Sequence, residues 1–248
     1  MRSEITTIIF SKNRACQLEL LLRSLNMPAT VIYTYDPAFK LGYDKLIKMY
    51  PDVKFVFETD FKAHVIECMG KYPGEYIMFL VDDDVMIEPF EENYPEFDEF
   101  KKNQDIICLS LRLAPDYQDA PDFRNNTWSW RELKWDWGYP MSVSAHIFRK
   151  QDILPIMINN EFKIPNDLEI VLRKNPPNRP LMLCLDKPKV INVPANMVQN
   201  KYFRKNMGVP AEDIDKNFLS GLRISLEDII EKAKFSKSCF LRVNYKYE

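Results

Sequence analysis

Three consecutive carboxylates, Asp82, Asp83 and Asp84, close a six-residue apolar run, Tyr76 to Val81. A run with no polar alternation reads as a strand buried on both faces. Carboxylates crowded at such a strand end repel one another, and their desolvation is costly unless a partner offsets it. A divalent cation is the natural partner. Hard oxygen ligands suit Mg2+ or Mn2+, which take one or two protein carboxylates and complete their shell with water and substrate phosphates. If strand geometry carries through the motif, Asp82 and Asp84 project to one side and can share an ion, while Asp83 points away. A solvated acidic turn is the competing reading.

The elements that must position this motif are legible around it. Residues 1–113 alternate strand-like and helix-like segments, the pattern of an α/β sheet with crossover connections. Strands are expected at Thr6 to Ser11, Thr30 to Tyr35, Lys54 to Glu58, Tyr76 to Val81 and Ile106 to Arg112. Helices are expected at Gln17 to Leu25, where Leu18, Leu21, Leu22 and Leu25 share a face, and at Leu41 to Met49 and Phe61 to Gly70. The acids beyond Asp84, from Glu88 to Glu99, read as a solvated face. From Ala114 to Pro140 regular patterning fails, and all four tryptophans fall between Trp128 and Trp137. Bulky aromatics argue against disorder in so long a loop, which makes it a candidate substrate wall. Ser142 to Phe148 reads as a further strand, Gln151 to Asn159 as a helix, and Ser225 with Asp228 as a cap opening a helix to Lys234.

Composition narrows the function classes. The 248 residues are 46% hydrophobic and 28% charged, enough for one large domain. A net charge of −2 provides no global field for nucleic acid or membrane. Five widely spaced cysteines without a CxxC pair read as reduced core thiols, not a disulfide framework or zinc site. The two histidines, His64 and His146, support neither a histidine zinc centre nor a Ser-His-Asp hydrolase. The amino terminus lacks a signal-peptide pattern, and no stretch approaches the roughly 20 apolar residues of a membrane helix. A cytoplasmic protein is expected.

Taken in order, Ile-Ile-Phe-Ser-Lys-Asn-Arg (8–14), Thr-Tyr-Asp (34–36), Phe-Leu-Val-Asp-Asp-Asp (79–84), Ser-Val-Ser-Ala-His-Ile-Phe-Arg (142–149), Ile-Pro-Asn-Asp-Leu-Glu (164–169) and Val-Pro-Ala-Asn-Met-Val-Gln-Asn (193–200) resemble the sequence blocks of GT-A fold, nucleotide-sugar-dependent glycosyltransferases, especially bacterial family 2-like enzymes. A Gln-x-x-Arg-Trp motif is missing, so the processive synthases of that group match poorly. The resemblance implies an α/β fold with a single mixed sheet flanked by helices and an irregular acceptor-side region. It implies one domain over 1–248, with a nucleotide-binding half (1–113), an acceptor-side half (114–200) and a C-terminal helical tail (201–248). The implied activity is an inverting, hexosyl-type transfer of one sugar from a nucleotide-diphospho-sugar to a saccharide or lipid-linked acceptor, in surface polysaccharide synthesis. The competing functions are a sugar nucleotidyltransferase, disfavoured because residues 11–15 contain no glycine, and a non-catalytic sugar-nucleotide or carbohydrate-binding protein.

Site roles follow from the same resemblance. Ser11, Asn13 and Arg14 would meet the nucleotide, with Arg14 neutralising diphosphate charge; a capping residue and a solvated arginine compete. Asp36 would accept from base or ribose, unless it only makes an Asp-Pro turn. Lys62 would reach a phosphate, or lie on the surface. Asp84 would bind Mn2+ or Mg2+, Asp82 the ribose or the metal, with Asp83 among the nucleotide contacts. Glu169, then Asp167, are the base candidates, against acids that merely suit a helix's first turn. Trp137, with Trp135 and Tyr139, would stack on sugar or else form a small core. His146 would face substrate or be a core histidine. Asn196 and Gln199 would close over the diphosphate or stabilise a loop. A basic, aromatic tail at 229–248 would dock weakly on the inner membrane face or pack on the domain.

Overall fold

Apolar runs and leucine stripes build a sheet covered on both faces. The computed structural model of the chain describes residues 3–197 and 207–248. In order, the elements are β1 (Ile5–Lys12), α1 (Ala15–Ser24), β2 (Ala29–Thr34), α2 (Lys40–Met49), β3 (Lys54–Phe57), α3 (Phe61–Lys71), β4 (Tyr76–Val81) and β5 (Asp84–Met86). They continue with α4 (Pro95–Lys102), β6 (Ile106–Ser110), β7 (Thr127–Ser129), β8 (His146–Arg149), α5 (Lys150–Asn159) and α6 (Pro165–Lys174). The last are β9 (Leu181–Cys184), β10 (Val190–Asn192), α7 (Ala211–Leu219) and α8 (Leu226–Ala233). Ser225 caps α8, its hydroxyl accepting from Asp228 N–H as the sequence predicts.

The main sheet runs β3-β2-β1-β4-β8-β6-β9-β7, and β10 pairs with β5 in a separate two-stranded sheet. The first four strands are parallel, and β8 enters antiparallel between β4 and β6. Side chains alternate between two cores. Ile9, Leu18, Leu21, Tyr43, Phe97 and Phe218 fill one face under α1, α2, α4 and α7. Ile8, Phe79, Val65, Ile153 and Leu168 fill the other under α3, α5 and α6. Both faces are therefore dry, which is why β1 and β4 lack polar alternation. Leu21 is fully buried, and truncating such a leucine to alanine costs about 2–5 kcal/mol. All five cysteines are buried and unpaired as disulfides.

Three departures from the sequence reading matter for the site. β8 starts at His146, because residues 142–145 form an irregular connection with Ala145 at φ +55°. Asp84 belongs to β5, not to the end of β4. The acidic stretch after it includes α4, whose Phe97 and Phe100 are buried, so only its acidic face meets solvent.

Candidate functional site

At the carboxyl ends of the parallel strands, where ligands meet open α/β sheets, the loop after β1 turns sharply at Asn13, with φ +56°. Asparagine tolerates this left-handed region better than most residues. The turn lets Asn13 Nδ2 donate to Asp36 Oδ2 at 2.6 Å, while Asp36 N–H donates to Asn13 Oδ1 at 2.7 Å. Asn13 and Asp36 are thus brought together, a pairing the sequence did not predict, and Lys12 Nζ stands 3.8 Å from Asp36. Ser11 is not open to a ligand. Its hydroxyl is buried 2.6 Å from Tyr43 Oη, which also accepts from Arg14 N–H.

Arg14 is buried beside the acidic turn. Its Nη1 donates to Asp82 Oδ1 and Asp83 Oδ2, each at 2.9 Å, and its Nε donates to Asn196 Oδ1 at 2.7 Å. Nη2 donates to the Asn196 carbonyl. Burial alone would lower the guanidinium's pKa, but Asp83 and Asp82 raise it above the ordinary value, so the group stays charged. The solvated-arginine reading is excluded by this placement.

The chain bends at Asp82 and Asp83, and this bend overturns the expected alternation. Asp82 Oδ2 accepts from Lys12 N–H at 3.0 Å, and burial raises this carboxyl despite Arg14's opposing pull. Asp83, predicted to point away, shares Arg14 with Asp82 and accepts from Asn192 Nδ2 at 2.9 Å. Asp84 Oδ1 accepts from the same Asn192 amide at 3.0 Å and from Ser144 Oγ at 2.8 Å, and its Oδ2 accepts from Val81 N–H at 3.0 Å. Asp84 is 0% exposed. Burial, then the charge of Asp83, pushes its carboxyl up to about 7. The carboxylates that share a partner are therefore Asp82 with Asp83, and Asp83 with Asp84. Asp82 and Asp84 have separate partners.

The irregular segment before β8 carries the remaining links. Ser144 Oγ also accepts from Arg112 Nη1 at 3.3 Å, and Arg112 Nη2 is ion-paired with Asp136. Two residues earlier, Ser142 Oγ and Val143 N–H both donate to Glu169 Oε1 at 3.2 Å. Glu169 on α6 is thereby tied to the loop that touches Asp84. Asp167, half-buried, lies two residues before Glu169 on the same helix and so on a different face of it.

Several predicted residues sit elsewhere or serve structure. His146 is 1% exposed, with Nδ1 3.0 Å from the Pro140 carbonyl; burial lowers its pKa to about 3, so it is a neutral core histidine. Trp137 is likewise core: it packs edge-on to Trp128, and its Nε1 donates to the Gln118 carbonyl. Both side chains are buried, in line with the core reading of each. Lys62 donates to Glu161 at 2.8 Å and to the Ile158 carbonyl, lining a cleft of about 930 Å³ with Glu58, Asp60 and Phe162. None of the residues lining that cleft belongs to the acidic turn. Gln199 falls outside the described residues.

Asn192, Ser144, Tyr43 and Arg112 escaped sequence reasoning. Asn192 and Ser144 adjoin or lie inside quoted blocks, a usable signal; Tyr43 sits on a helix and Arg112 just past a strand, where neither carries one. Tyr245 also approaches, donating to the Val193 carbonyl at 3.2 Å beside Asp83 and Arg14.

A divalent ion fits this donor set in kind. Among the described residues no group of three His, Cys, Asp or Glu is arranged to hold a metal unaided. One or two carboxylates suffice when phosphates and water supply the rest. Asp83 and Asp84 are adjacent hard donors, and burial first, then the charge of Asp83, raises the Asp84 carboxyl.

No protein-family model matches the sequence. The bifunctional glycosyltransferase pgtA of Dictyostelium discoideum is 28% identical over 264 aligned positions, covering 80% of this chain and 33% of pgtA. The chain thus spans about a third of that relative's length. The solved structure of S. aureus TarS aligns with a TM-score of 0.50 at 14% identity, over 76% of this chain and 36% of TarS. Its 1–349 fragment in complex with UDP-GlcNAc gives a TM-score of 0.50 at 15% identity, over 76% of this chain and 58% of the fragment. The architecture is the GT-A type of nucleotide-sugar glycosyltransferases, as the sequence blocks implied.

Proposed function

We propose that the chain is a glycosyltransferase that moves one hexosyl-type sugar, with inversion, from a nucleotide-diphospho-sugar to a saccharide or lipid-linked acceptor in surface polysaccharide synthesis. The observation that carries this reading is the bonded cluster of Arg14, Asp82, Asp83, Asp84, Asn192 and Asn196 at the carboxyl edge of the parallel strands. The curated relative and the TarS likeness support it. Residues 1–113 supply the nucleotide side, 114–200 the acceptor side, and 201–248 a C-terminal tail that closes on both.

In this reading Asn13 and Asp36, locked to each other, present the base and ribose edge. Arg14, paired with both Asp82 and Asp83, keeps the acidic turn compact while a diphosphate approaches. Asp84, with Asp83 beside it, would hold Mn2+ or Mg2+; when bound, such an ion stabilises negative charge on the departing nucleoside diphosphate. Asp82, committed to Arg14 and Lys12 N–H, fixes the turn. Glu169, oriented by Ser142 and Val143, takes the acceptor hydroxyl proton, with Asp167 as the second candidate. Cytoplasmic residence belongs to the same proposal; a peripheral contact at the inner membrane face does not, because most basic groups of the tail are paired with acids. Among the described residues no helix is long and apolar enough to cross a membrane.

A thermal-shift panel of UDP, GDP, CDP and dTDP, with and without MnCl2, tests the reading. One nucleoside diphosphate should raise the melting temperature, and more so with the metal. A flat response to all four, with and without metal, overturns the donor site.

A further inference from the structure

Of the four tryptophans, Trp128 and Trp137 are buried and Trp130 is half-buried with its Nε1 donating to the Arg179 carbonyl. Trp135 differs. It is 85% exposed, and its backbone stands at φ +57°. A bulky side chain in this left-handed region is a strained outlier that persists where the surroundings enforce it.

The surroundings here are explicit. Asp136, the next residue, is ion-paired with buried Arg112. Trp137 is locked in the aromatic core with Phe123 and Trp128. Gly138 approaches the Leu133 carbonyl so closely that a Cβ would lie 2.1 Å from its oxygen. A short 3-10 turn over Trp135–Gly138 is thus pinned on three sides, and the strain at Trp135 presents an indole to solvent on a rigid mount. The mount leads to the site. Asp136 holds Arg112, Arg112 donates to Ser144, and Ser144 donates to Asp84.

We propose that Trp135 is the platform on which a pyranose ring of the acceptor stacks, so that the acceptor is itself a glycoside. This rests on the glycosyltransferase reading and deepens it. An indole face complements the apolar C–H face of a sugar ring, and a preordered platform loses little conformational entropy on binding. Glu132 and Lys134, exposed and close to Trp135 in the sequence, bring charges of both signs to this turn.

The test uses the full chain labelled with ¹⁵N at the tryptophan indoles. Trp135→Phe assigns the Trp135 signal by its disappearance from the wild-type spectrum. Methyl glycosides of glucose, galactose, mannose and N-acetylglucosamine are then titrated in with the best-binding nucleoside diphosphate present. At least one glycoside should move the Trp135 signal while those of Trp128 and Trp137 stay in place. Trp135→Ala should weaken that glycoside about tenfold, and Trp135→Phe should restore most of the affinity, read by calorimetry. Trp135→Gly, which relieves the backbone strain, should melt above Trp135→Ala and still bind the glycoside poorly.

The inference is overturned if no glycoside moves the signal, if Trp135→Ala binds as tightly as wild type, or if only anionic lipid vesicles perturb the indole. Nucleotide that binds while Trp135 stays silent overturns this inference alone. A chain that binds no nucleotide overturns the donor reading, and with it the status of any bound glycoside as an acceptor.

Discussion

Arg14 Nη1 lies 2.9 Å from Asp83 Oδ2, so the acidic turn carries its own cation. The same nitrogen meets Asp82, and the guanidinium also holds Asn196 through two further bonds. One side chain therefore joins the β1–α1 loop, the acidic turn and the segment after β10.

Removing that cation leaves two carboxylates in a confined space with neutral hydrogen-bond donors but no opposite charge. Arg14→Gln should lower unfolding free energy by about 3–5 kcal/mol, the cost of breaking a buried ion pair. Arg14→Lys should rescue only part, since a point charge cannot replace the fork that reaches Asp82, Asp83 and Asn196 together. Urea unfolding at pH 7.5 measures both. Full stability of Arg14→Gln would mean that the turn is solvated and the cluster is not held by charge.

For Asp84, the amide in Asp84→Asn can still fill the site but carries no charge for a metal. Turnover of the nucleotide-sugar donor should fall by about 10²-fold or more. The melting-temperature gain from MnCl2 in the presence of nucleoside diphosphate should vanish as well. Wild-type turnover in this variant removes Asp84 from the metal role.

Much of this was readable beforehand, and the misses share a cause. The strands β1, β2 and β4 and the leucine stripe of α1 follow from local periodicity, which sequence displays directly. What sequence hid were pairings across long separations. Asp84 joins β5 because Asn192 lies opposite, 108 residues later, and that register bends the chain at Asp82 and Asp83. Strand alternation could not be continued through a bend fixed by a distant strand. Trp137 and Trp135 likewise look equivalent in Trp-Asp-Trp-Gly; the 3-10 turn buries one ring and exposes the other. His146 was correctly open to a core reading, and its burial settles that.

Glu169 is held by Ser142 and Val143 at the edge of the Asp84 network, and is the base of the proposed transfer. Glu169→Gln preserves the shape and removes the proton acceptor. Transfer should drop by roughly 10²- to 10⁴-fold while nucleoside diphosphate affinity is unchanged. A loss of less than about tenfold passes the role to Asp167, which the matching Asp167→Asn variant would then report.

Asp215 on α7 offers a pH test at a group that takes no part in the proposed chemistry. It is buried against Gly42 of α2, and its Oδ1 has no hydrogen-bond partner among the described residues. Burial raises its carboxyl from 3.8 to about 6. The folded state therefore binds this proton more tightly than the unfolded state. Its contribution to stability is complete below about pH 4 and is lost as pH rises through about 6. Asp215→Asn should be more stable than wild type at pH 7.5, by up to about 3 kcal/mol, with the two curves converging near pH 4. Parallel curves across that range would show that Asp215 is not desolvated.

The C-terminal tail tests the membrane contact. Its basic residues are largely engaged: Lys232 and Lys246 pair with Asp228, Lys234 with Glu231, and Lys237 with Asp116. The segment also packs inward, with Leu241 N–H donating to the Asn192 carbonyl and Tyr245 reaching Val193. A basic residue near an anionic surface contributes on the order of 1 kcal/mol when its charge is available, and these charges are already compensated. Sedimentation with anionic liposomes at low salt should therefore be weak. Neutralising Lys232, Lys234, Lys237, Arg242 and Lys246 together should change it little. Strong low-salt sedimentation that disappears in the neutralised variant would show that lipid headgroups outcompete Asp228, Glu231 and Asp116, and that the tail docks on membrane.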